Sequence, residues 1–151
     1  MSQISISTPI GPVFVEETMG MIIRLGWSHV KPIETDSLVL KEAVAQLKDY
    51  FNGSTAAFDL PLKAIGSPFQ QRVWSAICTI PYGETRTYGE LAAIVKSAPR
   101  AIGKVCGANP IPIIVPCHRV VGAHSIGGYS GRGGHDTKSA LLNLENRKIL
   151  L

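Results

Sequence analysis

No stretch of this chain approaches the roughly 18 uninterrupted apolar residues that a membrane-spanning helix needs. Its first residues also lack the basic start and apolar run of a secretory signal. These absences point to a cytoplasmic protein with no membrane partner. Cysteine is scarce: Cys78, Cys106 and Cys117 are odd in number and show no CxxC pair, which speaks against a disulfide framework and a zinc ribbon. The histidines His29, His118, His124 and His135 form no ligand-spaced set, so neither a metal nor another cofactor is expected. Acidic residues thin out along the chain. Residues 1–66 hold five Lys/Arg against seven Asp/Glu, whereas 67–151 hold ten against four, giving −2 and +6. The second half is where an anionic partner would bind, unless the excess is ordinary surface charge.

What is present is enough for a core. A chain of 151 residues, 45% hydrophobic, suits one domain or two small lobes. Ile4 and Ile6 alternate with serines, Pro9, Gly11 and Pro12 punctuate, and Val13, Val15, Met21, Ile23 and Leu25 mark further extended segments. This pattern predicts a small antiparallel sheet. From Ser37 to Phe51 the apolar spacing becomes helical, with Leu40, Ala43, Val44, Leu47, Tyr50 and Phe51 on one stripe and Gly53 as the stop. Residues 54–66 show no period and read as a connection, so the lobes are placed at 1–66 and 67–151.

The second lobe opens with helix starts that are legible residue by residue. Ser67, Pro68 and Gln70 supply an N-cap, a first-turn proline and a capping-box partner ahead of Phe69, Val73 and Ile77. Thr87 and Glu90 repeat the box before Leu91, Ala92, Ile94 and Val95, and Pro81-Tyr82-Gly83 is a turn between the two helices. A third helix is expected to start near Ser97 or Ala98, with Pro99 in its first turn and Ile102, Val105 and Cys106 facing inward. Its other face gathers Arg100, Ala101, Lys104, Gly107 and Ala108, basic and very small side chains, although Gly103 in the interior costs about 1 kcal/mol. Two short helices with a tight turn, the second one basic, suggest a helix-turn-helix. The fold class is therefore α+β: a sheet-and-helix lobe followed by a mostly helical one.

After Asn109 the run Pro110-Ile111-Pro112-Ile113-Ile114-Val115-Pro116 forbids a helix interior and confines any strand to its short middle. It delivers Cys117, His118 and Arg119 in succession, then Val120-Val121-Gly122. A cysteine becomes a nucleophile when a base or positive charge favours its thiolate, and His118 is adjacent. Neighbouring side chains on an extended chain point apart, so contact of thiol and imidazole needs a turn or a bridging water. From the residues alone, Cys117 is either that nucleophile or a core cysteine, while Cys78 and Cys106 read as core cysteines on apolar helical faces.

The segment Ile114-Val115-Pro116-Cys117-His118-Arg119-Val120 resembles the active-site signature of the O6-alkylguanine-DNA alkyltransferases, also called methylated-DNA–protein-cysteine methyltransferases. Further matches precede it in order: Pro68-Phe69-Gln70 with Val73-Trp74, Ile80-Pro81-Tyr82-Gly83, Thr87-Tyr88, Arg100-Ala101-Ile102-Gly103 and Asn109-Pro110. Gly128-Tyr129 and Lys138 through Leu141-Leu142 to Glu145 follow it. The likeness is strong over 67–145 and extends to the first lobe only in outline. Val105 stands where a smaller alanine is common. The 130–137 loop is about two residues longer than the family pattern, and the first lobe lacks the Cys and His zinc ligands of some relatives.

The resemblance implies direct-reversal DNA repair. An alkyl group, methyl above all, would pass once from O6-alkylguanine in double-stranded DNA to Cys117, leaving a monomeric protein spent. It implies that Glu145 holds His118 and that His118 polarises a water that takes the Cys117 proton, in the logic of a triad. It further implies that Tyr88 donates to the purine, that Lys138 lies close by, and that Asn109 pins the turn presenting Cys117. Ser130 would reach O6, the Cys117 and Val120 carbonyls would accept from the guanine amino group, and Pro112 and Tyr129 would complete the base pocket. The nucleotide must be flipped out to react. Arg100 would fill its place, with Ala101, Lys104, Thr87 and Tyr88 lining a minor-groove DNA contact. Two other classes stay in view: a non-catalytic helix-turn-helix lesion binder, which Cys117 argues against, and a thiol hydrolase, which leaves the basic helix without a role.

Overall fold

The computed structural model describes residues 2–31, 36–54, 57–127 and 134–150. The chain divides into two compact units, 1–65 and 66–151. The first holds an antiparallel sheet in the order β1 (Ser2–Thr8), β2 (Gly11–Thr18), β3 (Met21–Gly26), together with α1 (Leu38–Phe51). Met19 and Gly20 join β2 to β3, and both have positive φ, 54° and 78°, as a two-residue hairpin turn with right-handed strand twist demands. Val13, Phe14 and Val15 of β2 are buried with Ile22 and Leu25 of β3 and with Leu40, Ala43, Leu47 and Tyr50 of α1. Val44 and Phe51, on the edge of the expected stripe, are only half-buried. Ser37 caps α1 by accepting from the Leu40 amide, and Gly53 follows its end at φ 75°.

The segment expected to be a plain connection is more ordered than its lack of period suggested. The Ile22 amide donates to the Pro61 carbonyl at 2.8 Å and the Lys63 amide donates back to Ile22 at 2.8 Å, which adds a short parallel rung to the exposed side of β3. Pro61 is tolerated there because only its carbonyl is used. Gln46 of α1 pins the same segment, its side-chain amide both accepting from the Asp59 N–H and donating to its carbonyl.

The second unit contains α2 (Pro68–Cys78), β4 (Arg86–Thr87), α3 (Tyr88–Val95), α4 (Pro99–Gly107), β5 (Val120–Val121) and α5 (His135–Leu150). Both capping boxes close in full, Ser67 with Gln70 and Thr87 with Glu90. α3 ends on Lys96 in the left-handed conformation, and α4 starts at Pro99 with Ala98 as an N-cap that offers no side-chain acceptor. α2 fastens both members of this helix-turn-helix. Arg72 donates to the Val95 carbonyl at 3.1 Å, and the Trp74 indole donates to the Val105 carbonyl at 3.1 Å. Trp74 and Val105 are both buried, so Val105 serves as core where a smaller residue was expected.

One apolar position falls outside the core, and the reading of two cysteines needs correction. Ile94 is 64% exposed because α3 is short and buries only the face carrying Leu91, Ala92 and Val95. Cys78 is exposed and Cys106 half-buried, so neither is a core cysteine: Cys78 is the last residue of α2, beyond the Val73-Trp74-Ile77 face.

Candidate active site

Every residue from Ile111 to Val120 is buried, and no regular strand runs through the middle of this apolar segment. The Val115 amide donates to the Ile111 carbonyl at 2.9 Å, and Ile113 sits at φ 73°. A β-branched residue in that region is strained by about 1–3 kcal/mol unless its surroundings hold it there. Asn109 does the holding. Its Oδ1 accepts from the Ile111 amide at 2.9 Å, and its Nδ2 donates to the Val115 carbonyl at 2.9 Å and to Cys117 Sγ at 3.2 Å. The prolines are what leave the backbone to this side chain, since Pro110, Pro112 and Pro116 have no N–H of their own to close the turn.

Cys117–Arg119 form one turn of 3-10 helix, which supplies the bend that a thiol and an imidazole on adjacent residues require. The chain then leaves as β5, whose parallel pairing of Val120 and Val121 with Arg86 and Thr87 fixes the start of α3, and hence Tyr88, relative to Cys117. From α5 comes Glu145, buried, facing this turn. Its Oε2 lies 2.6 Å from His118 Nε2. Arg119 donates through Nε to Oε1 at 2.8 Å and through Nη2 to Oε2 at 3.2 Å, while its Nη1 donates to the Ile80 carbonyl at 2.8 Å. The Gly83 amide reaches Oε1 at 3.3 Å, from a turn that needs glycine for its φ of 80°.

The other wall carries Lys138 and Tyr88. Lys138 is fully buried. Its Nζ donates to the Val120 carbonyl at 2.6 Å and reaches Tyr88 Oη at 3.5 Å. The Tyr88 hydroxyl rests against Gly127, where an added Cβ would come within 2.8 Å of it. Cys117 and Val120, whose carbonyls were expected to meet a guanine amino group, already accept one bond each, from the Val120 amide and from Lys138; a carbonyl oxygen has a second lone pair free for such a guest. Pro112 is buried in the Asn109 turn. Tyr129, Ser130 and residues up to 133 lie outside the described residues, whereas the rest of the expected 130–137 loop is a turn at Gly134 and then the first residues of α5.

The charge states follow from this packing. Burial pushes the Cys117 thiol up to about 11, although the Asn109 hydrogen bond and the Lys138 charge pull the other way, so the sulfur is a neutral thiol at rest. Burial lowers His118 from its ordinary 6.5 despite the opposing pull of Glu145, leaving a neutral imidazole. Burial also pushes Glu145 up, but the hydrogen bonds of His118 and Arg119 and the charge of Arg119, joined by that of His118 once it protonates in acid, outweigh it and hold the carboxyl at about 2. Tyr88 is raised by burial and by the neighbouring thiols Cys106 and Cys117, so it stays a phenol able to donate. Burial lowers Lys138, against the pull of the same two thiols. Cys106 thus belongs to the surroundings of the site, a place its apolar helix pattern concealed.

On α4, Arg100 and Lys104 are exposed and Ala101 is half-buried. A methyl group added to Gly103 would only touch the Tyr88 ring, at 4.0 Å, so packing within this unit does not demand glycine there. Thr87 is half-buried and its hydroxyl is committed to the α3 cap. Among the described residues no cluster of three metal-ligating side chains occurs, and no helix is long and apolar enough to cross a membrane.

Fold and site together define a helix-turn-helix protein built around a buried, hydrogen-bonded thiol. Residues 68–147 match the family described as 6-O-methylguanine DNA methyltransferase, DNA binding domain, and residues 1–64 match its ribonuclease-like domain. The chain belongs to the 6-O-methylguanine DNA methyltransferase family. It is 44% identical to the methylated-DNA–protein-cysteine methyltransferase of Mycobacterium tuberculosis, over 95% of this chain and 92% of the relative. It is 42% identical to the constitutive enzyme of that name from Bacillus subtilis, over 91% of each. A crystal structure of Mycobacterium tuberculosis OGT in complex with DNA superposes with a TM-score of 0.86 at 43% identity, covering 97% of this chain and 93% of that one.

Proposed function

We infer that this protein repairs DNA by direct reversal, accepting the alkyl group of O6-alkylguanine onto Cys117 in a single turnover. In the step proposed, the S–C bond forms as the C–O6 bond breaks in line. The thiol proton passes through a bridging water to His118 Nδ1, and the electron pair left on the purine is neutralised by a proton, first offered by the Tyr88 hydroxyl. Glu145 remains ionised and orients His118, and Lys138 keeps positive charge beside Tyr88 and the forming anion. Asn109 donates to the sulfur as its charge develops, which lowers the barrier to thiolate formation. The observation that carries this reading is the pairing of a buried Cys117 held by Asn109 with an adjacent His118–Glu145 contact of 2.6 Å.

The working division of the chain is proposed at the same place as its change of charge. Residues 67–151 hold the chemistry and the DNA contacts, with Arg100 filling the gap of the flipped base and Ala101 and Lys104 against the minor groove. Val120, Pro112, Tyr129 and Ser130 would form the guanine pocket. Work on DNA by a monomer in the cytoplasm fits these parts. Intact mass after incubation with an O6-methylguanine duplex tests the whole reading: one methyl group per protein, mapped to Cys117 and absent from Cys117→Ser, is the expected result. Repeated turnover, or modification of Cys78 or Cys106 instead, would overturn it.

A further inference from the structure

Glu145 is shared, and the sharing is informative. Among the described residues its carboxylate faces both His118, on Oε2, and the forked guanidinium of Arg119, across both oxygens. Arg119 is itself buried, 6% exposed, lies over the Tyr82 ring with its carbon 5.7 Å from the ring centre, and is tied to the Ile80 carbonyl. It is therefore held between the turn before β4 and α5, with no freedom to swing away.

We propose that Arg119 is a positioning residue for alkyl transfer, a permanent cation that claims the Glu145 carboxylate so that His118 works as a neutral base instead of resting as an imidazolium. The proposal builds on the alkyl-transfer reading. A carboxylate within hydrogen-bond reach of a histidine pulls the ring toward the imidazolium, because the opposite charge favours its protonated form. An imidazolium has both nitrogens protonated and cannot accept the thiol proton. With Arg119 in place the carboxylate is already neutralised, by a bidentate contact that also aims Oε2 at Nε2. The ring then keeps one proton, on Nε2 toward Glu145, and presents Nδ1 as a lone pair; Nδ1 has no hydrogen-bond partner among the described residues. The charged groups facing His118 agree with this division: Glu145 favours the imidazolium, whereas burial, Arg119 and Lys138 oppose it. Arg119 in turn faces Glu145 and the Tyr82 phenol, and it lies within electrostatic reach of Cys78.

Arg119→Gln removes the charge and Arg119→Lys keeps it without the fork. The assay is the rate of transfer from O6-benzylguanine base to Cys117 across about pH 5 to about pH 10. In Arg119→Gln the acid limb should move up by about one pH unit, so that the rate falls about tenfold on the acid side of both limbs and recovers as pH rises past the shifted one. Arg119→Lys should keep the acid limb within about half a unit of the parent while losing rate evenly, because charge is retained and aim is lost. A uniform loss with an unmoved acid limb in Arg119→Gln would show a merely structural role and overturn the proposal. Nitrogen-15 NMR of the His118 ring in the unaltered protein gives a second test that needs no variant to fold. Nδ1 bare and Nε2 protonated at neutral pH is the expected state, and an imidazolium or the opposite tautomer refutes it. Failure of the alkyl-transfer reading would show separately, as a parent protein that gains no benzyl group.

Discussion

Replacing Asn109 by alanine should damage stability and chemistry together, and the sizes can be worked from its bonds. The side chain satisfies the Ile111 amide and the Val115 carbonyl, both in a stretch with no exposed residue. Each buried backbone group left without a partner costs about 1–3 kcal/mol. Two such groups, partly relieved by relaxation of the Ile113 turn from its φ of 73°, give a loss of about 3 kcal/mol. That is a large share of the roughly 5–15 kcal/mol holding a domain but leaves the protein folded. Asn109→Asp separates the two effects. It keeps the acceptor for Ile111 yet offers no N–H to Cys117 Sγ and brings negative charge beside it, so the thiol, already near 11, should ionise still less. Urea unfolding gives the first quantity, from a lower midpoint at unchanged slope. Reactivity of Cys117 toward a small thiol reagent, followed by peptide mass against pH, gives the second. An alanine variant within about 0.5 kcal/mol of the parent, the range of an ordinary surface change, or an Asp variant whose Cys117 reacts as the parent does, would refute the account of Asn109.

Acid should loosen the second unit before other parts of the chain. Glu145 is held at about 2 against an ordinary 4.5, so its contribution, about 3 kcal/mol, is complete above about pH 4.5 and is lost as pH falls toward about 2. His118 is depressed as well, from 6.5, so stability also erodes as pH drops below that value; thermal melts should show this slope in the parent and a flatter one in Glu145→Gln. Arg100→Ala should slow transfer from duplex DNA, where flipping must be supported, and leave the free O6-benzylguanine base reacting at nearly the parent rate. Equal loss on both substrates would remove Arg100 from flipping. Lys104→Ala, measured alongside, should reduce the salt slope of duplex binding by roughly one, and an unchanged slope would take it off the phosphates.

The parts that could be read directly from the sequence were those whose partners lie a turn away. Ser67 with Gln70 and Thr87 with Glu90 are three residues apart, and a capping box needs nothing else. The helical stripe of α1 was legible for the same reason. What escaped depends on distant partners. Ile113 offers no sign of its left-handed backbone, because Asn109 imposes it through bonds to both ends of the turn. The rung at Pro61–Lys63 exists only because β3 has an open edge beside it. Cys78 and Ile94 fall in apolar patterns, yet the helices carrying them bury only one narrow face. Arg119 follows His118 directly in the sequence, but the carboxylate the two share is 26 residues away, and nothing local marks the pairing.

A protein that reacts once has a shelf life, and the burial of Cys117 bears on it. An unfolded copy of this chain would carry a thiol with the ordinary value of 9.0, whereas the folded one sits near 11. Folding therefore makes the sulfur less, not more, available to a stray electrophile, since the thiolate is the reactive form. The reagent is stored with its safety on. Only a guest that fills the site and sets the proton moving toward His118 arms it, so copies waiting in the cell would not be wasted on the same diffusing alkylators that damage the DNA.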